Sequence, residues 1–199
     1  ANRLIEQDDS SRDILRPFLL GRGLKSYQKA IPGSYLIYTP KGFTAKEMGI
    51  DRECQQLPEE TVAWEWFKSK YPAISEWLLP FREKARKRTD KGDYWWELRS
   101  CAYYDKFAES KIFYQVFQTK PCFIYDDSAT FCNNSIYFLS VPDKALLALL
   151  CSRVGWWLIT EYCPRIQNGA QLIWDNFSQI PIPHILPTKL SEYADEMME

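Results

Sequence analysis

Twelve prolines are spread along the 199 residues, and together with eight glycines they limit how far any helix can run. A proline inside a helix removes one backbone hydrogen bond, and its ring collides with the preceding turn. This argues against a long helical bundle. Hydrophobic residues make up 46% of the chain and charged residues 26%, which is typical of a folded globular domain and excludes a disordered chain.

The hydrophobic pattern predicts helices in the first half of the chain. Proline and two carboxylates at 58–60 are typical of a helix start, and Pro72 disfavours helix in the residue before it. We therefore predict one helix over 58–71, with Val62, Trp66 and Phe67 facing inward. A second helix is predicted over 72–88, interrupted at Pro80. Before these helices, residues 14–27 are predicted to form a loop, and 34–38 a short strand.

From Lys111 the period of the apolar residues changes to two, which is typical of strands. Four short segments between Lys111 and Ser140 predict an antiparallel meander, because paired Asp or Asn residues separate them. A long apolar helix over 145–162 should pack on this sheet. The predicted fold class is α+β, with an antiparallel, partly curved sheet of short strands and packed helices.

The charges are distributed unevenly, although the net charge is only −1. Six basic residues and no acidic residue lie between Arg16 and Lys46, and a second basic cluster lies at 82–88. Acidic residues gather at the two ends of the chain. This asymmetry favours one basic working face, with ordinary solvated surface as the alternative.

The six cysteines contain no C-x-x-C pair, and the only histidine, His184, lies between Pro183 and Ile185. Zinc sites require clustered thiolate or imidazole ligands, so no metal site is predicted. Most of the cysteines lie in apolar runs, where a thiol packs as a small hydrophobic group. We predict a reduced, cytoplasmic protein, and no apolar run is long enough for a membrane span.

The sequence contains no recognisable catalytic centre. It has neither a G-x-G-x-x-G nor a G-x-x-x-x-G-K-[ST] loop, so nucleotide binding has no support. The paired carboxylates Asp126 and Asp127 are better explained by a turn than by acid–base chemistry. We therefore predict no catalytic residue. The chain also lacks an initiator methionine, and we interpret it as a piece of a longer protein.

Aromatic residues are unusually frequent, at 31 of 199. Tyr94, Trp95 and Trp96 are adjacent, and Arg99 follows shortly after the basic cluster. If this segment is extended, its aromatic side chains cannot all face one core, so at least one should lie at the surface. There it could stack on a nucleic-acid base or pack beneath Arg99. The alternative is a corner of the core filled by Trp95.

The order of several motifs over residues 14–183 resembles the TaqI-like C-terminal specificity domain, the target-recognition domain of adenine-N6 DNA methyltransferases and of fused restriction–modification enzymes. The motifs are Leu15-Arg16-Pro17-Phe18-Leu19-Leu20-Gly21-Arg22-Gly23-Leu24-Lys25-Ser26-Tyr27, Tyr71-Pro72-Ala73-Ile74, Trp95-Trp96-Glu97-Leu98-Arg99-Ser100, Lys111-Ile112-Phe113-Tyr114, Tyr125-Asp126 to Ser135-Ile136-Tyr137, Leu146-Leu147-Ala148-Leu149-Leu150, and Ile180-Pro181-Ile182-Pro183.

The resemblance implies a set of DNA-binding residues. A basic loop and a second contact segment would touch the DNA, and Lys111 would start the strand that supports the second segment. From the residues alone, these two basic stretches should lie on one face, and the turn at 167–169 could supply polar groups for base edges. The predicted DNA-binding residues are Arg16, Arg22, Lys25, Tyr27, Arg88, Trp96, Arg99, Lys111, Gln167 and Asn168.

The resemblance also implies a division of labour. Residues 1–13 would lead in from a preceding domain, 14–183 would form the recognition domain, and 184–199 would be an acidic extension. The implied partners are double-stranded DNA and an N-terminal methyltransferase domain of the same bacterial parent chain. No cofactor belongs to this fragment, whereas the parent would use S-adenosylmethionine, with or without Mg²⁺. Two alternatives stay open: a recognition domain of a non-catalytic specificity subunit, and a module with an aromatic platform that does not bind DNA.

Overall fold

A computed structural model describes residues 1–21, 24–28 and 31–199. The chain forms two compact units. Unit 1 comprises residues 1–16 and 35–103, and unit 2 comprises residues 17–34 and 104–199. The described residues form short helices and small sheets, which confirms the predicted α+β class.

Unit 1 is mainly helical. Its helices are α1 (Asn2–Gln7), α2 (Phe43–Glu47), α3 (Glu60–Lys70), α4 (Pro72–Leu78) and α5 (Arg82–Arg86). Two strands reach it, β1 (Leu15–Leu19), which continues into unit 2, and β2 (Ser34–Ile37). The start of β1 corrects the prediction that residues 14–27 form a loop, whereas β2 confirms the predicted strand at 34–38.

The two predicted helices of unit 1 are confirmed, including the interruption. Proline occupies the first turn of α4, and a 3₁₀ turn over Leu79–Phe81 separates α4 from α5. The inward face of α3 differs from the prediction, because Val62 is 54% exposed. Trp64 faces inward instead and stacks on Phe67, with ring centroids 5.5 Å apart.

Unit 2 contains most of the strands. They are β3 (Lys111–Gln115), β4 (Phe117–Gln118), β5 (Phe123–Asp126), β6 (Phe131–Cys132), β7 (Ile136–Leu139), β8 (Arg165–Ile166) and β9 (Gly169–Gln171). Its helices are α6 (Lys144–Cys151), α7 (Arg153–Tyr162), α8 (Trp174–Phe177) and α9 (Thr188–Met198).

The strands of unit 2 do not form the predicted meander. β3 is central, with β5 and β7 antiparallel on its two sides. β6 leaves this sheet and pairs in parallel with β1, so that Phe131 lies opposite Phe18. A backbone turn precedes β6, because Ala129 adopts the left-handed conformation with φ 53°. β4 joins the β8–β9 hairpin in a separate small sheet.

The predicted helix over 145–162 is broken in two at Ser152. Its backbone is extended there, and its hydroxyl accepts a hydrogen bond from the Gly155 amide at 3.0 Å, which caps α7. The predicted packing on the sheet is confirmed for α6, which buries Leu147 and Leu150 in the same cluster as Tyr114.

The C-terminal helix α9 packs along α6. Ala194 is fully buried, and Lys144 forms an ion pair with Asp195. At the other end of the chain, α1 packs Leu4 and Ile5 against the core of unit 1. Both termini thus contribute to the core of a unit, while the predicted boundaries at 13 and 183 stay a prediction.

Candidate nucleic-acid interface

The loop after β1 is held at its start by contacts within unit 2. The side-chain amide of Gln115 donates a hydrogen bond to the Gly21 carbonyl. A Cβ at Gly21 would overlap the Ser135 hydroxyl, so a larger residue here would force the Ser135 side chain to move. Arg22, a predicted DNA-binding residue, lies outside the described residues.

The return of this loop is held by three further bonds. The Ser26 hydroxyl donates to the Pro121 carbonyl at 2.7 Å, and the Cys122 thiol donates to the Leu24 carbonyl at 3.2 Å. The Tyr27 amide donates to the Phe123 carbonyl at 3.4 Å. Lys25 lies between these anchors and is exposed, as the prediction of a basic loop requires.

Tyr27 has an anchoring role in this loop. Its side chain packs against the core of unit 2, and its backbone is left-handed with φ 62°. Burial, reinforced by neighbouring Cys151, raises the pKa of the phenol to about 12. The ring therefore anchors the loop to the core of unit 2, while the Lys25 side chain is exposed to solvent.

The second predicted polar element is the β8–β9 hairpin. Ile166 pairs with Gly169, so Gln167 and Asn168 form a two-residue turn, as the sequence predicts, and both side chains are exposed. A Cβ at Gly169 would overlap the Gln118 carbonyl oxygen, which places the hairpin turn in backbone contact with the end of β4.

Gln118 lies between the hairpin and the loop, because it pairs with Ala170 of β9 and braces the turn that follows β4. Its buried side chain donates to the carbonyls of Gln115 and Cys122 at 3.1 and 3.2 Å, and it accepts from the Cys122 amide at 2.8 Å. These bonds close the turn 119–121, where Lys120 is exposed. The same turn receives the hydrogen bond from Ser26 described above.

Three segments of unit 2 are thereby joined, and we call them the loop–hairpin surface: residues 24–28, 119–121 and 167–168. Its two cations are Lys25 and Lys120. Across the described parts of the chain, neither lysine forms an ion pair. Nearby Arg165 is neutralised, because its guanidinium donates to Glu161 at 2.8 Å. The surface therefore combines two unneutralised lysines with three exposed side-chain amides, those of Gln28, Gln167 and Asn168.

The aromatic segment at 94–96 corrects a prediction. Tyr94, Trp95 and Trp96 are all buried, so none of them forms a surface platform. The segment is a turn rather than a strand, since the Glu97 amide donates to the Tyr94 carbonyl at 3.1 Å. In this conformation Tyr94 and Trp96 stack at 4.7 Å, and Trp64 lies 4.7 Å from Trp95.

Arg88 and Glu97 hold this turn in place. The Arg88 guanidinium donates to the carbonyls of Trp95 and Glu97 at 3.1 and 3.0 Å. The buried Glu97 carboxylate accepts from the amides of Gly42, Thr44 and Asp93 at 3.2, 2.9 and 2.8 Å. Arg88 and Trp96 thus stabilise the interior of unit 1, and we do not include them in the candidate interface.

Lys111 is fully buried. Its ammonium lies 2.7 Å from the Asp126 carboxylate and donates to the Phe107 carbonyl at 2.8 Å. Lys111 begins β3, opposite Asp126 on β5, as the resemblance implies for the supporting strand. A side chain held in this way does not reach a phosphate, so the proposed interface leaves it out.

Arg16 and Arg99 lie in unit 1. Arg16 is half-buried, donates to the Leu15 carbonyl at 3.0 Å and lies over the Tyr38 ring, 5.6 Å from its centroid. Arg99 is exposed. Because the loop 24–28 belongs to unit 2, a shared face between it and the segment 95–99 stays a prediction.

Comparison with known families decides the class of this chain. A family model described as the TaqI-like C-terminal specificity domain matches residues 16–182, which is most of the chain. The chain belongs to this family. A search of curated proteins finds no match. All three segments of the loop–hairpin surface lie inside the matched range, whereas helix α9 lies beyond it.

A specificity domain recognises DNA and is not itself a catalytic domain. Within the described residues of this specificity domain, no group of three or more His, Cys, Asp or Glu side chains could hold a metal ion. No helix in the described parts combines the length and apolarity needed to cross a membrane.

Sequence reasoning missed two residues near the loop–hairpin surface. Lys120 lies outside the basic runs that charge counting found, and its only sequence signal is its place in a turn between two strands. Phe117 precedes the same turn in β4 and is 60% exposed, opposite Gln171. Its ring is exposed, in contrast to the buried aromatics at 94–96.

Proposed function

We propose that this specificity domain binds double-stranded DNA through the loop–hairpin surface and selects the target of a bacterial, cytoplasmic DNA adenine-N6 methyltransferase. The observation that carries the proposal is the junction at the turn 119–121, which Gln118 braces, Ser26 contacts and Gly169 approaches. It joins a basic loop, a basic turn and an amide-bearing hairpin within one unit.

The chemistry of this surface suits the two tasks of DNA recognition. Lysines neutralise phosphates, which supplies affinity and fixes register but carries no sequence information. Side-chain amides carry donors and acceptors that match base edges in the grooves. Lys25 and Lys120 are therefore assigned to phosphates, and Gln167 and Asn168 to bases.

Two further arginines belong to the proposal through the family resemblance. Arg22 lies in the loop motif, and Arg99 follows the buried aromatic turn. If Arg99 reads a guanine edge, Arg99→Ala should cost about 1–3 kcal/mol on the cognate sequence only. Binding assays on cognate and scrambled duplexes distinguish this result from a uniform loss.

Catalysis is assigned to another part of the parent protein. We propose that an N-terminal methyltransferase domain binds S-adenosylmethionine, with or without Mg²⁺, and acts on a flipped adenine while this domain clamps the duplex. No amide-Pro-Pro-aromatic tetrapeptide occurs in the 199 residues. The chain alone should therefore transfer no labelled methyl group to duplex DNA, and transfer above background would contradict the assignment.

The main test is a salt titration of duplex binding with the 199-residue chain. Lys25→Ala and Lys120→Ala should each reduce the slope of log K against log salt by about 0.9, because each removes one phosphate contact. Lys189→Ala is the matched control, since Lys189 is exposed in unit 2 but lies on α9, outside the surface. Unchanged slopes for both lysine variants would place the DNA elsewhere.

The two alternatives make different predictions. A recognition domain of a non-catalytic specificity subunit requires a tandem second recognition domain in the parent reading frame, instead of a methyltransferase domain. A module with an aromatic platform requires salt-insensitive binding and no affinity for duplex DNA. Tyr94, Trp95 and Trp96 are buried, so such a platform would have to use other aromatic residues.

A further inference from the structure

Gln167 occupies a backbone position that glutamine does not favour. Its φ is 48°, in the left-handed region where glycine and asparagine are tolerated best. An asparagine is the next residue along the turn, yet the glutamine takes the strained position. A strained backbone at a polar residue in an exposed turn points to a use for its side chain.

The hairpin that carries Gln167 has a firmly packed base. Ala170 pairs with both Arg165 and Gln118, and it is buried together with Leu172. The Leu172 amide donates to the Val116 carbonyl at 2.7 Å. The exposed tip therefore projects from a three-stranded base that is anchored by buried Gln118 and Ala170, which limits its freedom before any ligand binds.

The charges around the tip favour a nucleic-acid ligand. Residues 165–171 contain no acidic side chain, and Lys120 lies in the turn beside the tip. Arg165 stays at the base, where it donates to the Thr160 carbonyl at 3.0 Å as well as to Glu161. The groups left at the tip are two amides.

We propose that the β8–β9 hairpin enters the major groove of DNA and that Gln167, with Asn168 beside it, reads the adenine of an A·T pair. The major groove admits a two-stranded ribbon, and a side-chain amide matches adenine by donating to N7 and accepting from N6. This inference rests on the proposed function and adds to it the base pair that one element reads.

The experiment compares the 199-residue chain with Gln167→Gly in a selection from random duplexes. The unsubstituted chain should select a sequence that contains a fixed A·T pair, and Gln167→Gly should lose that one position. The loss should be about 5- to 150-fold in the preference for A·T. Because glycine relieves the left-handed strain, the thermal unfolding midpoint of the variant should be equal or higher. If the Gln167 side chain only stabilised the fold, its removal would lower the midpoint instead.

A modified base tests the contact itself. Replacing the selected adenine by 7-deazaadenine removes the N7 acceptor, so it should weaken binding of the unsubstituted chain but not of Gln167→Gly. Gln179→Ala is the matched control, because Gln179 is another exposed glutamine of unit 2, outside the hairpin.

The outcomes separate this inference from the proposed function. If the chain selects a sequence and Gln167→Gly selects the same one, the hairpin does not read the base and the inference is overturned, while the proposed function stands. Equal sensitivity of both proteins to 7-deazaadenine has the same meaning. A chain that binds no duplex at all overturns both.

Discussion

The aromatic turn at 94–97 and the loop–hairpin surface use their residues in opposite ways. The first contains adjacent tryptophans near several arginines, the composition of a nucleic-acid platform, yet its aromatic rings are buried. The second is built from ordinary turn residues and presents its lysines and amides to solvent. Aromatic and basic residues that are neighbours in sequence thus do not by themselves make a binding surface.

The energies involved explain the difference. A large aromatic side chain buries about 150–250 Å², which corresponds to roughly 4–6 kcal/mol of transfer free energy as an upper estimate. Stacking on one base is worth about 1–3 kcal/mol. A turn that directs all three rings inward is therefore favoured wherever the chain can form it. Arg88 donates to the Trp95 carbonyl and the Glu97 carboxylate accepts from the Asp93 amide, so both side chains stabilise this turn.

The contrast between the two regions would not hold if removing an aromatic ring from the turn left the stability of the domain unchanged. Trp95 is 1% exposed, so Trp95→Ala should lower the free energy of unfolding by about 3–5 kcal/mol, measured in urea. Trp77→Ala is the matched control, since Trp77 is 57% exposed, and it should change stability by about 0.5 kcal/mol or less. Equal losses of stability for Trp95→Ala and Trp77→Ala would contradict the assignment of Trp95 to the core of unit 1.

Substitution of Lys111 tests whether its ammonium group stabilises the interior of unit 2 or contacts DNA. Lys111→Ala leaves the Asp126 carboxylate buried without its partner, which should cost about 3–5 kcal/mol of stability. The salt slope of DNA binding by the folded protein should not change, in contrast to Lys25→Ala. A reduced slope with intact stability would place Lys111 at the phosphates.

A smaller effect is expected at Arg88. Arg88→Ala leaves the carbonyls of Trp95 and Glu97 without this donor and should cost about 1–3 kcal/mol. The adjacent exposed residue provides the control, so Lys87→Ala should stay within about 0.5 kcal/mol. If Arg88→Ala instead bound DNA more weakly and kept its full stability, Arg88 would be assigned to the DNA interface.

The smallest effect concerns the pH dependence contributed by Tyr27. Its pKa is raised from 10.0 to about 12 in the folded domain, so the folded state favours the neutral phenol. The corresponding stability is fully present below pH 10 and is lost as the pH rises towards 12. The free energy of unfolding of Tyr27→Phe should therefore fall less steeply with pH over this range, as measured by unfolding experiments in alkaline buffer. Its offset from the unsubstituted domain should be constant between pH 7 and 9, and parallel curves above pH 10 would contradict the shift.

Local signals in the sequence predicted much of the fold. Prolines placed the starts of α3 and α4 and the interruption near Pro80, and the period-two pattern placed β3, β5 and β7. Pairing could not be predicted in the same way, because β6 takes its partner from β1, more than a hundred residues earlier. The break between α6 and α7 depends on the capping hydroxyl of Ser152, which hydrophobic periodicity does not register.

The candidate site was predicted only in part. Lys25, Gln167 and Asn168 were chosen from the sequence, and the structure exposes all three. Lys120 was not, since its position beside them depends on hydrogen bonds from Gln118 and Ser26. Trp96 and Lys111 were chosen for chemistry that a surface would use, but packing and the Asp126 partner bury them.

Under the proposed function, the interleaving of the two units along the chain affects how DNA specificity can evolve. Residues 17–34 contribute the loop to unit 2, and residues 104–199 contribute the hairpin, with 35–103 of unit 1 between them. A single crossover between two related genes within 35–103 would combine the loop of one parent with the hairpin of the other. Recombination that preserves a matched loop–hairpin surface must exchange both segments together or neither.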